Sequence, residues 1–314
     1  MRSISLSSLV ATALAFSPAA RPPRMPMAPR VGSCTSSWRM DAAASGKVAI
    51  VTGGSGGIGL AVCHKLAARG SKLVIGYGSD EARAVAACDE LREAYPGLEV
   101  ASVGGDLTSE EGRTETVDRM FTAVDKLGGN VSAFVHAAGY FAADLLSHHF
   151  DGAIDDFAMY DAYQSIYPKA FVAITEKCLQ RMGPGGRIIA ITNPGCNHLQ
   201  TPRVGYDMPG QGKATMEFVV RMYAMRTAKR GICVNSVSPG YTDTAEWDKA
   251  RLQMGGGDLK KGAEILDARV LARSPIQRWA APAEIAQAVD FLAGEQTGMI
   301  TGATIPVDGG LHLT

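Results

Sequence analysis

The segment Thr52-Gly-Gly-Ser-Gly-Gly-Ile-Gly59 decides the fold of this chain, because it joins a short apolar run at 48–51 to a helix-like run at 58–69. The apolar run predicts a buried strand, and the second run predicts a helix closed by Gly70. Glycines let a backbone approach a phosphate closely, and the first turn of a helix offers it unpaired N–H donors and a positive dipole. The segment therefore predicts a phosphate-binding loop between a first strand and a first helix.

The same alternation of strand and helix continues along the chain. It implies right-handed strand–helix–strand units and hence an α/β fold, a single doubly wound (Rossmann) parallel sheet with helices on both faces. Residues 244–273 are expected to form an insertion above the sheet edge, and one helix is expected to be interrupted near Pro168. Strands are predicted at 48–51, 73–75, 100–103, 131–136, 187–192, 232–237 and 304–307, and helices at 58–69, 81–94, 109–127, 155–182, 214–230 and 282–293.

Composition excludes several classes of protein. The chain has 314 residues, 46% of them apolar, and a formal net charge of zero, which is enough for a full core in one large domain. Five arginines and no acid fall in the first forty residues, so the remainder carries a net charge of −5 and no basic stripe for nucleic acid. No later apolar run reaches the roughly 20 residues that span a bilayer. The six cysteines lack CxxC or metal-ligand spacing, which predicts free thiols and no metal site.

The N-terminal residues have the composition of a targeting segment. Residues 9–16 are apolar, 18–30 are rich in Pro and Arg, and no acid occurs before Asp41. The Ala-Phe-Ser-Pro step at 15–18 is similar to the cleavage region of presequences that lead into complex plastids. We therefore expect 1–44 to be a presequence with a plastid address and 45–314 to be the folded domain. Mitochondrial targeting, secretion and a disordered tail without an address remain the alternatives.

The spacing TGxxxGIG of residues 52–59 resembles that of the short-chain dehydrogenase/reductase family. The resemblance extends over residues 46–314, because four further motifs follow in the family's order. They are Gly105-Asp-Leu107, His136-Ala-Ala-Gly139, Ser238-Pro-Gly-Tyr-Thr-Asp-Thr244 and Thr301-Gly-Ala-Thr-Ile-Pro-Val-Asp-Gly-Gly310. Where the family commonly has Asn, this chain has His136, which we expect to be a packed side chain.

The resemblance implies a nicotinamide dinucleotide cofactor. NADP is preferred, with NAD possible, because no acid directly follows the second strand and the small residues Gly78 and Ser79 leave room for a 2′-phosphate. No Arg lies in the glycine loop to bind that phosphate. The cofactor-binding residues implied are Thr52, Gly53, Ser55, Gly57, Ile58, Gly59, Tyr77, Ser79, Asp106, Leu107, Ala137, Gly139, Lys213, Pro239, Gly240, Thr242 and Thr244.

Tyr206 and Lys213 are the candidate catalytic pair. A phenol and an ammonium held close together can stabilise an oxygen that gains negative charge. In the family a Ser lies thirteen residues before the catalytic Tyr; here that position is Asn193, so the Tyr register is kept and the Ser is missing. The family's helical Asn is also missing, since 165–167 reads Ser-Ile-Tyr. Because Pro and Gly occur at 209–212, Tyr206 is expected on an irregular lead-in and Lys213 in the first turn of the next helix.

The spacing Tyr-x6-Lys, with three residues more than the family's usual Tyr-x3-Lys, is similar to that of enoyl-acyl-carrier-protein reductases. The expected function is therefore NAD(P)H-dependent reduction of an enoyl thioester, on an acyl carrier protein or coenzyme A. Reduction of a 3-oxoacyl thioester or another carbonyl is the alternative within the family. A non-catalytic NAD(P)-binding sensor or scaffold is the alternative from another class. The resemblance also implies a homotetramer, and no nucleic-acid or membrane partner is expected.

Overall fold

The computed structural model describes residues 46–139, 157–197, 200–202 and 206–314. The predicted presequence, 1–44, and the first residues of the helix predicted at 155–182 lie outside the described residues. Within the described part no helix is both long and apolar enough to cross a membrane.

Seven parallel strands form one sheet in the order β3-β2-β1-β4-β5-β6-β7. The order reverses beside β1, where β2 lies on one side and β4 on the other, as in a doubly wound fold. The predicted Rossmann sheet is therefore confirmed. The strands are β1 (Val48–Thr52), β2 (Lys72–Tyr77), β3 (Val100–Gly104), β4 (Val131–His136), β5 (Arg187–Ile191), β6 (Cys233–Pro239) and β7 (Thr304–Val307).

Helices cover both faces of the sheet, as predicted. Residues of β1 show how the core is divided: Val48 and Ile50 pack with the cluster that includes α3, α5 and α6, whereas Ala49 and Val51 pack with α1, α2 and α9. All four side chains are fully buried, because both faces of a parallel sheet are covered. The described helices are α1 (Gly57–Ala68), α2 (Glu81–Ala94), α3 (Glu110–Lys126), α4 (Ala158–Gln164), α5 (Ala170–Leu179), α6 (Asp207–Thr227), α7 (Trp247–Met254), α8 (Leu259–Arg273) and α9 (Pro282–Ala293).

Helix α6 begins seven residues earlier than the sequence predicts. Its first bond runs from the Gly210 N–H to the Tyr206 carbonyl at 2.8 Å, so Tyr206 is the N-cap and the segment expected to be irregular is helical. Pro209 is tolerated because the first four N–H groups of a helix have no partner within it, so a missing N–H there costs no bond. Gly212 is required by packing, since a Cβ there would lie 2.8 Å from the Tyr163 carbonyl oxygen.

A π-helical turn, Ser165–Lys169, separates α4 from α5 at the predicted interruption near Pro168. Proline cannot donate the regular bond, so the ladder shifts there and local carbonyls become available to other partners. The buried Tyr163 and Tyr167 rings stack with their centroids 5.8 Å apart. Tyr163 of α4 and Tyr167 of the turn therefore both lie close to the start of α6.

The predicted insertion at 244–273 consists of the helices α7 and α8. Its base is anchored by aromatic contacts, with Trp247 and Trp279 ring centroids 5.3 Å apart and each of these rings 6.0 Å from the Tyr241 ring. Arg251 bonds to Asp243 and Asp248 at 2.7 and 2.8 Å, which ties α7 to the segment that follows β6. These contacts therefore fix the start of the insertion at the carboxyl end of the sheet.

Candidate active site

A doubly wound fold binds its ligand at the carboxyl ends of the strands where the strand order reverses, which in this sheet is beside β1 and β4. The last residues of these strands, Thr52 and His136, are bonded to each other through Thr52 Oγ1 and His136 Nδ1 at 2.8 Å. Thr52 Oγ1 also accepts from the Ala138 N–H at 3.2 Å. These bonds hold the glycine loop against the segment that follows β4.

His136 is a structural side chain in this crevice. Burial lowers the pKa of His136 to about 4, the Ile166 carbonyl works in the opposite direction, and the charge on Lys213 lowers it further. The ring is therefore neutral, and because Nε2 lies 2.8 Å from the Ile166 carbonyl, Nε2 carries the proton. Thr52 then donates to Nδ1. His136 joins β1, β4 and the π turn, in agreement with the expectation of a packed histidine.

The glycine loop makes close backbone contacts that only glycine permits. A Cβ on Gly53, whose φ is +69°, would lie 2.7 Å from the Ala137 carbonyl oxygen, and a Cβ on Gly59 would lie 2.0 Å from the Gly53 carbonyl oxygen. The N-cap of α1 is Gly56, which offers no side chain to the first turn, and that turn contains no acid. The N–H groups at the start of α1 are therefore available to an anion.

The segment after β6 closes over this loop. Thr244 Cγ2 lies 3.1 Å from the position of a Cβ on Gly57. Thr242 is buried, and its hydroxyl donates to the Gly240 carbonyl at 3.1 Å. The structure thus brings the predicted residues after β1 together with those after β6.

Other predicted cofactor residues lie along the same edge of the sheet with varied exposure. Tyr77 packs its ring over Gly104, the last residue of β3. Burial opposes the charge on Asp106, but hydrogen bonds from Thr108 and Ser109 outweigh it and lower the pKa of Asp106. Of the remaining positions, Ser55, Leu107 and Pro239 are buried, Ile58 and Ala137 are half-buried, and Ser79 and Gly139 are exposed.

These residues fit a dinucleotide. Gly53 and Gly59 allow backbone segments to approach each other closely, and the N-terminus of α1 has no side-chain cap. Backbone N–H groups can therefore bind the phosphates there. When bound, a nicotinamide dinucleotide would supply a hydride donor. The residues at 52–59 would hold its phosphates.

Arg83 is a further cation at the glycine loop, and none of the sequence motifs indicates it. Its guanidinium lies 3.7 Å from the position of a Cβ on Gly56, and its Nη1 donates to Glu246 Oε1 at 2.8 Å. The Arg occupies the third position of α2, where the N-cap Asp80 accepts its backbone N–H. Its position in the first turn of the helix that follows β2 was the sequence feature that could have indicated a phosphate-binding cation. The arrangement can offer a guanidinium to an anionic group bound near Gly56.

Tyr206 lies at the start of α6 among other polar residues. Burial and the neighbouring Tyr167, Cys196 and Tyr163 raise its pKa well above that of a free phenol. The phenol therefore stays protonated at neutral pH and can donate a hydrogen bond. Cys196 is a buried thiol whose pKa is raised to about 12, mainly by burial, so it does not supply a thiolate.

Lys213 lies seven residues further along α6. Its Nζ donates to the Thr192 carbonyl at 3.1 Å and lies 5.1 Å from the centroid of the Tyr167 ring. Burial lowers the pKa of Lys213, while Cys196 and Glu217 work in the opposite direction. The structure thus places Tyr206 and Lys213 around one cluster that includes Tyr167 and Cys196.

Asn193 lies two residues after the end of β5; it is half-buried, and its backbone forms a hydrogen bond with the Cys196 thiol. Thr192, the neighbouring hydroxyl, is buried and donates to the Val237 carbonyl at 3.4 Å. The residue four before Lys213 is Pro209, which has no polar side chain. Of these positions, 206 therefore carries a phenol, and Tyr206 shares the neighbours Tyr167 and Cys196 with Lys213. Within the described residues no group of three or more His, Cys, Asp or Glu is placed to hold a metal ion.

Comparison with known proteins agrees with this geometry. Residues 53–312 match the family model described as enoyl-(acyl carrier protein) reductase. An acetoacetyl-CoA reductase of Cupriavidus necator is 30% identical over 85% of this chain and 98% of its own length. A 1-cyclohexenylcarbonyl-CoA reductase of Streptomyces collinus is 31% identical over 85% and 87%. The crystal structure of L-sorbose reductase from Gluconobacter frateurii with NADPH and L-sorbose superposes with a TM-score of 0.74 at 26% identity, covering 88% of this chain and 100% of that one. The chain belongs to the short-chain dehydrogenase/reductase family and is an NAD(P)-dependent reductase.

Proposed function

We propose that the protein uses NADPH to reduce the carbon–carbon double bond of an α,β-unsaturated acyl thioester. The observation that carries this proposal is the position of the phenol. Tyr206 is the N-cap of α6, while Pro209 occupies the place four residues before Lys213. Three residues of helix correspond to about 4.5 Å along its axis, so the donor stands further from the lysine than a Tyr at position 209 would.

Such a displacement suits enoyl reduction for a chemical reason. In reduction of a ketone, charge develops on the oxygen bonded to the carbon that receives the hydride. In reduction of an enoyl thioester, the β-carbon receives the hydride and charge develops on the thioester oxygen, which is more distant. One donor aimed at that oxygen can stabilise the enolate, so the Ser missing at Asn193 is less necessary.

The side chains then have distinct tasks. Tyr206, held protonated by its buried surroundings, donates to the thioester oxygen as negative charge develops. Lys213, anchored on the Thr192 carbonyl, holds the ribose hydroxyls of the cofactor and offers its positive charge to the phenol. The α7–α8 insertion above the crevice limits access of water to the reacting carbon.

Two features of this chain and one solved structure support NADPH as the cofactor. Arg83 brings a guanidinium to Gly56 of the glycine loop, where it can pair with a 2′-phosphate. No acid lies directly after β2 to bind a free ribose diol, because Tyr77 is followed by Gly78 and Ser79. The solved L-sorbose reductase was crystallised with NADPH.

A second candidate function is reduction of a 3-oxoacyl thioester. The acetoacetyl-CoA reductases of Cupriavidus necator and Allochromatium vinosum, 30% and 29% identical to this chain, favour it. The Streptomyces collinus relative favours the first candidate, because 1-cyclohexenylcarbonyl-CoA carries a double bond conjugated with its thioester. Both candidates share a coenzyme A thioester, and an acyl carrier protein is the other carrier to be tested.

The two functions are separated by following NADPH oxidation by residues 45–314 with crotonyl-CoA and with acetoacetyl-CoA. We expect faster turnover of crotonyl-CoA, and a loss of roughly 10²–10³-fold in kcat for Tyr206→Phe, as for the removal of an oxyanion donor. The matched control is Tyr223→Phe on the same helix, whose hydroxyl bonds to Glu176 at 2.6 Å, outside the crevice. Exclusive turnover of acetoacetyl-CoA would establish the second candidate. NADPH binding with turnover of neither substrate would instead support a sensor.

We further propose a homotetramer that works in a plastid. Phe218, Met222 and Met225 are 56%, 52% and 79% exposed on one side of α6, which supports a subunit contact there. Light scattering should give four copies for the native chain and fewer for Met222→Glu.

A fluorescent protein preceded by residues 1–44 should enter the plastid, and cytosolic fluorescence would contradict that address.

A further inference from the structure

Glu217 is a buried acid that neither the motifs nor the proposed reaction uses. It lies on α6, one turn after Lys213, and is 2% exposed. Its Oε2 accepts from Asn197 Nδ2 at 3.1 Å and from Thr304 Oγ1 at 3.3 Å. Within the described part of the chain, its Oε1 is buried without a hydrogen-bond partner. A carboxylate buried in this way is costly unless a positive charge is near.

Lys213 carries a positive charge within the electrostatic range of Glu217, because Cys196 and then Glu217 raise the pKa of Lys213 against the effect of burial. Residues four apart on a helix lie on the same side, with Cβ atoms about 5–6 Å apart, so the two side chains share one face of α6. Among the residues that the structure describes, the ammonium contacts two neutral groups, the Thr192 carbonyl and the face of the Tyr167 ring. It therefore needs a negative charge at slightly longer range if it is to remain protonated inside the crevice.

Titratable groups on the neighbouring segments do not supply that charge. Cys196, from the segment after β5, has a raised pKa, and so does Tyr206 at the start of α6, so neither is negative at neutral pH. His136, at the end of β4, is neutral because its pKa is lowered to about 4. Tyr167, from the π turn, presents its ring. Among these groups, Glu217 alone can carry the compensating charge.

We propose that Glu217 is a positioning residue of the reductase, the buried counter-charge that keeps Lys213 protonated and aligned with Tyr206. The proposal rests on the proposed function in one respect, because the Tyr206–Lys213 pair must serve catalysis. Glu217 is in turn held by β7, since the Thr304 hydroxyl that donates to it lies 2.6 Å from the Ser236 hydroxyl. These hydrogen bonds hold one oxygen of the carboxylate against Asn197 and Thr304.

Removing the negative charge should lower the pKa of Lys213, since burial is then opposed by Cys196 and no longer by Glu217. A charge within a few ångströms changes a pKa by about one unit or more. In Glu217→Gln, the alkaline limb of kcat/KM should therefore move to lower pH by about one unit. Activity should fall roughly tenfold on that limb and little near neutral pH.

Three variants separate this role from a structural one. Glu217→Asp keeps the charge, and its pH profile should return most of the way to that of the native enzyme. Thr304→Val removes a hydrogen bond to Glu217 without changing any charge, so its alkaline limb should stay in place even if its melting temperature falls. A Glu217→Gln enzyme with lowered stability and an unchanged pH profile would overturn the proposal.

Cofactor binding provides a readout that does not depend on turnover. The affinity for NADPH, followed by its fluorescence across about pH 6 to 10, should weaken at a lower pH in Glu217→Gln than in the native protein, because Lys213 loses its proton earlier. If the native protein turns over neither thioester but this shift is seen, the proposed function fails while the role of Glu217 stands. Identical binding profiles would refute that role whatever the substrate.

Discussion

Gly212 offers the sharpest test of how the site is assembled. A Cβ at this position would lie 2.8 Å from the Tyr163 carbonyl oxygen and 3.0 Å from Tyr167 Cδ2. Ordinary contacts need more than half an ångström of additional space, and one of the two obstacles is backbone. In Gly212→Ala, helix α6 must therefore move away from α4 and the π turn.

The magnitude follows from two opposing effects. Alanine favours a helix over glycine by about 1 kcal/mol, while overpacking costs about 1–3 kcal/mol. Because the clash is with backbone, we expect the larger cost, and a net loss of about 1–2 kcal/mol in the free energy of unfolding. That loss corresponds to roughly 2–4 °C in melting temperature for each kcal/mol. Lys213 is the next residue, so kcat/KM should fall by about tenfold or more, since small misplacements in a site are costly.

Urea unfolding and steady-state kinetics measure the two effects together. The control is Gly210→Ala on the same helix, where the new Cβ would lie 3.4 Å from Tyr206 Cδ1, an ordinary contact. Its stability should be unchanged or slightly raised. If Gly212→Ala were as stable and as active as Gly210→Ala, the close packing of α6 on the π turn would not be what positions Lys213.

Three further predictions concern the cofactor crevice and its support. Arg83→Ala should raise the KM for NADPH about tenfold or more and leave that for NADH nearly unchanged; equal changes for both cofactors would exclude pairing with the 2′-phosphate. His136 has a folded-state pKa of about 4, below its unfolded value near 6.5, so the unfolded state binds the proton first. The neutral His136 contributes its full stabilisation above about pH 6.5. As the pH falls toward 4, the free energy of unfolding decreases by up to about 3 kcal/mol. His136→Asn should flatten this part of the curve of unfolding free energy against pH. Gly53→Ala, with a Cβ 2.7 Å from the Ala137 carbonyl oxygen, should weaken NADPH binding measured by fluorescence even where circular dichroism shows a folded protein.

Local patterns were sufficient to predict the fold. The alternation of buried strands with helices, and the glycine-rich turn between β1 and α1, depend on residues close together in sequence. The start of α6 was predicted wrongly for the same reason, because Pro209 and Gly212 disfavour a helix when taken alone. A proline in a first turn loses no bond, and Gly212 is there to let Tyr163 approach. The need for glycine at position 212 therefore comes from α4, a different helix.

The sequence alone determined the sheet, and it predicted the phosphate-binding loop and the catalytic pair of Tyr206 and Lys213. Only the tertiary structure revealed Arg83 over the glycine loop and Glu217 behind the lysine, bonded to Thr304 of β7. These contacts join residues separated by tens of positions, and the charge of each group depends on how much water the surrounding elements exclude. Periodicity records which side of an element is buried, but not which partner from another element meets it there.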